Sequence, residues 1–420
     1  MRHSIGTFTI IFLSAAFLSA ADWSAFHGAD GNNKSPDTGL QKKWAEDGPN
    51  LLWSVDFIGF GYSSVAIANN RIYITGNVQR EGKDLTMLFC LDKDGKVIWE
   101  NDNGPAHSDT RKYHGTRGTP TIDGNFVYDV SATGDVTCFD TTKMGEKNWS
   151  RNLMKEYNAP LPYWLLGNAV LADGDCIICP LGGPQHIAVA LDKKTGKNVW
   201  VADPVADPAG TVAGYTTPYA FTFEGIRVVT VMSDSTVEGL DAKTGKNLFS
   251  IPLRNRLVTN CTMPIYHNGC LLLSTGYDFG AKMIKLTKNT NGTIKTEEAW
   301  FEPKFDNHHG DIILVGDHVY GSTFNGSWCS INFMTGEIGY TDRSFGKGSI
   351  HYADGLFYCL SENDKTVGLV KPDPKKFIEL SRFELPNEAE GNSWAHPVVL
   401  DGRLYLRHAQ YLYCYDVKTP

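Results

Sequence analysis

The sequence predicts an all-β protein, an eight-bladed β-propeller of four-stranded blades closed by an N-terminal strand that completes the last blade. Three observations carry this expectation. A pattern of an apolar residue, an aspartate, a glycine turn and an aromatic strand recurs along the chain. Upstream of it stands a second pattern, in which two strands flank a tight Asp-Gly turn. The 42 glycines and 12% aromatic content suit short strands and tight turns better than helices.

The elements follow in chain order. Residues 1–21 read as a secretory signal. Arg2 and His3 give a polar start, Ile5 to Leu18 is apolar, and Ser19-Ala20-Ala21 offers small residues for cleavage. The apolar run is shorter than the roughly 20 residues that a membrane span needs, and no later run is longer. A periplasmic or secreted protein that does not span the membrane is expected. Residues 22–50 form an N-terminal extension expected to pack on the propeller, and residues 51–420 form the single propeller domain. Asp30-Gly31-Asn32-Asn33 lacks the spaced acidic ligands of a calcium loop and reads as a turn.

The first repeat element is Leu91-Asp92, Gly95-Lys96 and Trp99. It returns as Phe139-Asp140, Gly145 and Trp149, then as Leu191-Asp192, Thr195-Gly196-Lys197 and Trp200. Leu240-Asp241 with Gly245 and Phe249, Leu286-Thr287 with Gly292 and Trp300, and Ile331-Asn332 with Gly336 and Tyr340 continue it. Val370-Lys371 is a worn copy, and Tyr415-Asp416 meets the C-terminus. From Asp92 to Asp416 the chain takes seven steps of about 46 residues, within the propeller range. The aspartate is expected to bond backbone N–H groups in the turn, and the aromatic to pack between sheets. Blades begin near Tyr62, Thr116, Leu166, Tyr215, Cys261, His309, Lys347 and Trp394. Blade eight runs out of chain after three strands. Residues 51–56 look like every other outer strand and are expected to supply the fourth, removing the exposed edges.

The units of the form Asp-x-x-Thr-Gly-Lys-x-x-Trp resemble the repeats of the pyrroloquinoline quinone (PQQ)-like β-propeller superfamily over nearly the whole mature chain. Asp22-Trp23-Ser24-Ala25-Phe26-His27-Gly28 also resembles bacterial exported members. The resemblance implies the fold. It implies either a cofactor-free scaffold of the BamB type or a quinoprotein alcohol dehydrogenase that binds PQQ with calcium. The vicinal cysteine pair of those dehydrogenases is missing, as is a Cys-x-x-Cys-His haem motif. Asp311 is the sole acidic residue in the aligned inner-strand positions.

Candidate site residues come from aligning the starts of the innermost strands. Three residues before the anchor prolines stand Tyr62, Arg117, Leu166, Tyr215, Cys261, His309, Lys347 and Trp394, and one residue before stand Thr119, Thr217, Asp311 and His396 among others. Strand periodicity puts both sets on one side, facing the channel. The alignment is loosest in blades two, three and six, where a one-residue slip reverses the faces. The predicted site is Tyr62, His114, Arg117, Tyr215, His309, Lys347, Trp394 and His396. Arg117 and Lys347 suit carboxylates or phosphates, the aromatics suit a ring or a sugar face, and the histidines suit titration near neutral pH. A wet channel mouth whose polar groups satisfy one another stays open as the alternative. His308 and His309 are adjacent, so on a strand they should point to opposite faces.

The nine cysteines are expected to act as buried small hydrophobes. Equivalent positions in different repeats lie too far apart to pair, and the two residues of Cys176-Ile-Ile-Cys179 point apart on a strand. A net charge of −8 without a Lys/Arg block argues against nucleic acid as a partner. The leading expectation is a binding or scaffold module, monomeric because a closed ring needs no partner to fold. It would take a protein, glycan or small molecule at the channel face. The alternatives are a PQQ-dependent oxidoreductase and a polysaccharide-active enzyme.

Overall fold

The computed structural model describes residues 22–106, 113, 115–205, 211–386 and 389–420. The signal segment therefore lies outside the described residues. Eight antiparallel four-stranded sheets make a ring of blades. Blade two is typical, with strands A to D at Thr121–Asp123, Phe126–Val130, Asp135–Asp140 and Glu146–Asn152. Among the described residues one short α-helix, Leu153–Glu156, interrupts the β structure.

The C-to-D turn of blade three shows how the Asp-led turns are built. Asp192 Oδ1 accepts from the Thr195 backbone N–H at 2.8 Å and from the Thr195 hydroxyl at 2.7 Å. Gly196 then takes φ +69°, where a side chain would be strained. A Cβ there would also stand 2.7 Å from the Trp149 ring of the preceding blade. Trp149 Nε1 donates to Lys193 O of the same turn at 3.2 Å. The outer-strand tryptophan of one blade thus lies on the turn of the next, and Trp200 repeats the bond to Ala242 O at 3.0 Å.

The ring closes with this same contact. Asn50–Val55 pairs antiparallel with Tyr411–Asp416, with Asn50 opposite Asp416 and Val55 opposite Leu412. Trp53 Nε1 donates to Lys93 O of blade one at 2.9 Å. On the inside, Arg407 of blade eight reaches blade one. It donates to Ser63 Oγ at 2.6 Å, Thr75 O at 2.7 Å and Gly59 O at 3.0 Å.

The segment 22–50 crosses the face that carries the A-to-B turns. Trp23 exchanges backbone bonds with Ile67 at 2.7 and 2.8 Å. Asn33 donates to Ile350 O at 2.6 Å and accepts from His351 Nδ1 at 2.9 Å. Leu40 N donates to Asp354 at 2.9 Å, and Trp44 packs edge-on against Phe383 at 5.5 Å. Between these anchors Phe26 and His27 enter the central channel and close it from that side. The buried His27 lies 3.0 Å from His396 Nδ1 and 3.5 Å from Asp311 Oδ2.

All nine cysteines are free. Seven are buried, as expected, but Cys176 and Cys261 are only partly so, because Cys261 lines the channel mouth and Cys176 starts an exposed strand end.

Candidate functional site

Opposite the plug, the D-to-A and B-to-C connections surround a blind cavity of about 310 Å³. Tyr62, Arg117, Tyr215, His309, Lys347, Trp394 and His396 all line it. His114, the eighth predicted residue, lies outside the described residues. Cys261, Thr119 and Thr217 from the aligned inner-strand positions are present too, whereas Leu166 is buried in the core between blades two and three.

Two expectations need correction. His308 and His309 do not point to opposite faces, since both line the cavity. The first strand of blade six is the reason. Its register jumps from Asn307 opposite Thr323 to Ile312 opposite Gly321, so the four residues 308–311 stand against Ser322 alone and the alternation breaks there. The bulge carries Asp311 into a left-handed conformation at φ +62°. Its carboxylate turns away from the mouth, accepting from Met263 N at 3.1 Å and Ile312 N at 3.0 Å beside His27. Burial raises the Asp311 pKa well above the carboxylate range and lowers that of His27 well below the imidazole range. Burial therefore favours the neutral form of both.

The carboxylate that does face the mouth is Glu362, which the inner-strand alignment missed. It follows strand B of blade seven, as Tyr277 and Phe324 follow strand B of blades five and six. Extending the repeat alignment to the end of strand B would have found all three. Tyr113 and Trp164 come from D-to-A connections, and Phe26 comes from the plug. No repeat position encodes these.

One wall is aromatic. Trp394 lies 4.6 Å from the Tyr62 ring and 4.9 Å from the Tyr113 ring, centroid to centroid. Arg117 sits 5.6 Å over the Tyr62 ring and donates to the carbonyls of Tyr113 and Gly115. Burial lowers its pKa, and nearby Tyr62 and Tyr215 offset this in part. No carboxylate pairs with it among the described residues. Burial likewise pushes the Tyr62 phenol up to about 12 and the Cys261 thiol to about 12, so both stay protonated at neutral pH.

The other wall is a polar relay. Lys347 Nζ lies 3.1 Å from Glu362 Oε2, and Trp394 Nε1 donates to Glu362 Oε1 at 2.8 Å. Lys347 Nζ also lies 2.8 Å from His308 Nδ1, which in turn is 3.2 Å from His309 Nδ1. An ammonium only donates, so His308 Nδ1 accepts from Lys347 with its single lone pair. His309 Nε2 is buried and has no hydrogen-bond partner among the described residues. Burial lowers the pKa of both histidines well below the ordinary range, with the Lys347 charge adding to it. His396 Nε2 donates to His309 O at 2.8 Å, which leaves its Nδ1 to accept from His27. Burial lowers the His396 pKa to about 4. The predicted titration near neutral pH is therefore moved into the acid range at these histidines.

With the ring and its mouth described, the comparisons can be placed. The sequence matches the family described as outer membrane protein assembly factor BamB over residues 44–214 and 168–419. The chain belongs to this family. Its fold is shared by BamB from Moraxella catarrhalis, at 14% identity over 88% of this chain and 99% of that one, with a TM-score of 0.60. It is shared as well by the quinohemoprotein alcohol dehydrogenase ADHIIG from Pseudomonas putida HK5, at 12% identity over 95% and 81% of the two chains, with a TM-score of 0.63. The quinohemoprotein alcohol dehydrogenase from Comamonas testosteroni is similar at 11% identity, over 95% and 81%, with a TM-score of 0.61. At such identities the likeness is one of fold. No curated protein sequence matches significantly. Among the described residues of this BamB-family propeller, no helix is long and apolar enough to cross a membrane.

The mouth does not fit PQQ with calcium. Calcium takes about six to eight oxygen ligands. Among the described residues the cavity lining offers one carboxylate, Glu362, and it is already engaged by Lys347 and Trp394. No cluster of three or more His, Cys, Asp or Glu suited to a metal occurs among the described residues.

Proposed function

We propose that this chain is an exported binding module that takes a small ligand in the blind mouth of its channel, with residues 22–50 serving as the plug. The observation that carries this reading is the convergence of seven aligned inner-strand residues on one aromatic-walled cavity, floored by Phe26. Ligand pockets are concave and mostly apolar, with a few placed polar groups, which describes this mouth. Export rests on the apolar N-terminal run and agrees with the outer-membrane name of the family.

A thermal-shift panel tests it. The mature protein and a Trp394→Ala variant are melted with mono- and disaccharides, organic acids, and PQQ plus calcium. A ligand at 100 times its Kd stabilises by about 2.7 kcal/mol. The expected result is a raised Tm for the wild type with at least one compound and none for the variant. A PQQ response restores the oxidoreductase reading.

A second reading, protein scaffolding, draws on the family name and on apolar residues exposed along the outer strands, including Val97, Val199 and Phe301. It predicts that a Val199→Asp change abolishes capture of an envelope protein while Trp394→Ala leaves it intact. That pattern, with a silent panel, would replace the ligand reading.

A further inference from the structure

The N-terminal segment is fastened in the channel through two histidine rings. At blade seven the Val399 backbone N–H donates to His351 Nε2 at 3.2 Å. The ring proton of His351 is therefore on Nδ1, which donates to Asn33 Oδ1 at 2.9 Å. At blade eight His396 Nε2 lies 2.8 Å from the His309 carbonyl and must donate to it. His396 Nδ1 is then the acceptor for His27 Nε2 at 3.0 Å. Each ring is fully bonded in its neutral form. A second proton on either lands on the accepting nitrogen and sets one N–H against another.

The segment itself shields these rings from water. Trp23 packs edge-on against His351 at 4.9 Å, and the Phe26 ring lies 5.0 Å from His396. Burial lowers the His351 pKa to about 3, with His396 adding to it, and the His396 pKa to about 4. Lifting residues 22–34 out returns both rings to water and toward about 6.5. Between about pH 4 and pH 6.5 both then take up a proton on release, so acid favours release.

The other titratable groups facing them do not cancel this. His27 gains a proton on release, while the buried Asp311, 3.5 Å away, gives one up. His309 feels the Lys347 charge whether the segment is seated or not. Tyr358, 6.4 Å from His351, is a phenol whose pKa burial raises. His27 and Asn33 also hold left-handed backbone, at φ +66° and +57°, which the seating bonds must keep in place. Further along, the anchors need no histidine. Leu40 N bonds to Asp354, Trp44 packs on Phe383, and Asn50–Val55 closes the ring.

We infer that residues 22–34 are an acid-released plug. Protonation of His351 and His396 unseats Asn33 and His27, and the blind mouth becomes a channel open at both faces while the ring stays closed. This concerns the plug and holds whatever the mouth binds.

Hydrogen-exchange mass spectrometry of the mature protein between pH 7 and pH 4.5, corrected for the intrinsic pH dependence of exchange, tests it on wild type, His351→Gln, His396→Gln and the double variant. Glutamine can donate and accept but does not titrate. Peptides covering residues 23–35 report the plug, through bonds such as Asn33 N to His27 O and Ser35 N to Tyr352 O. Strand Ile226–Met232 of blade four reports the ring. Plug protection should fall by up to about a hundredfold per pH unit below about pH 6.5, tenfold for each histidine, while the ring strand keeps its protection. Each single variant should reduce the slope to about tenfold, and the double variant should flatten it.

Plug protection that persists to pH 4.5 overturns the inference. A loss shared by the ring strand does so too, because it reports acid unfolding of the whole molecule. A wild-type slope in the double variant overturns the assignment to these two histidines.

Discussion

Asp311 and Arg407 are buried charge-bearing side chains held mainly by backbone bonds. Asp311 accepts from two backbone N–H groups in a setting that already favours its neutral form. Asp311→Asn keeps an acceptor there and should cost less than about 1 kcal/mol, whereas Asp311→Ala strands both donors and should cost about 2–3 kcal/mol. Urea midpoints of the two variants check the difference, and equal midpoints would refute it. Burial lowers the Arg407 pKa to about 9, and its carbonyl partners are Ala409 on its own blade and Gly59, Ser63 and Thr75 at blade one. Arg407→Met should cost about 3 kcal/mol through the carbonyls it leaves unpaired. A variant as stable as wild type would show that those bonds contribute nothing net.

The buried histidines set a pH dependence. Burial lowers His351 to about 3 and His396 to about 4, from about 6.5 in an unfolded chain. A base with a lowered folded pKa binds its proton more readily when unfolded. Its contribution is complete above about pH 6.5 and is lost as pH falls toward 4. His27, His308 and His309 shift in the same direction, while Asp311, with a raised pKa, opposes them. Stability measured by urea titration should therefore fall between pH 7 and pH 5. A flat profile over that interval would contradict the buried, neutral assignment.

Among the elements, the closing strand has the clearest consequence. Trp53 makes at the junction the contact that Trp149 and Trp200 make inside the ring. Trp53→Ala should cost about 3 kcal/mol, in the range of large aromatic truncations. Beginning the chain after Val55 would leave the edge of Tyr411–Asp416 unpaired. Light scattering should then show a larger species for the truncated chain than for the mature chain. These elements were legible in the sequence because each turn is local. Asp192, Thr195 and Gly196 satisfy one another within five residues, so the pattern survives without knowledge of distant contacts. Blade six was not legible in the same way. Its bulge adds residues without altering the apolar pattern on either side, and the facing of His308 and Asp311 departs from strand alternation.

Across the whole molecule, the plug decides what the channel can do. His27 ties the N-terminal segment to blades six and eight, and Asn33 ties it to blade seven. Removing residues 22–34 should open the channel while leaving the ring folded, since the closing strand Asn50–Val55 remains. Acrylamide quenching of the mouth tryptophans should rise in that variant with the far-ultraviolet spectrum unchanged. Unchanged quenching would mean that the plug does not seal the floor.

The period of about 46 residues was enough to establish eight blades, their strand order and the strand that closes them, because repetition forces identical units into a ring. It also placed the inner-strand starts, and seven of those side chains meet at the mouth because equivalent positions in a ring converge on its axis. The threading of Phe26 and His27, the turning away of Asp311 and the arrival of Glu362 beside Lys347 were decided only in three dimensions. The first two join residues from different units or from outside the repeats, and the third joins the start of blade seven to the residue that follows its own strand B. Such encounters depend on the ring's radius and on a bulge of a few residues, and neither leaves a periodic mark in the chain.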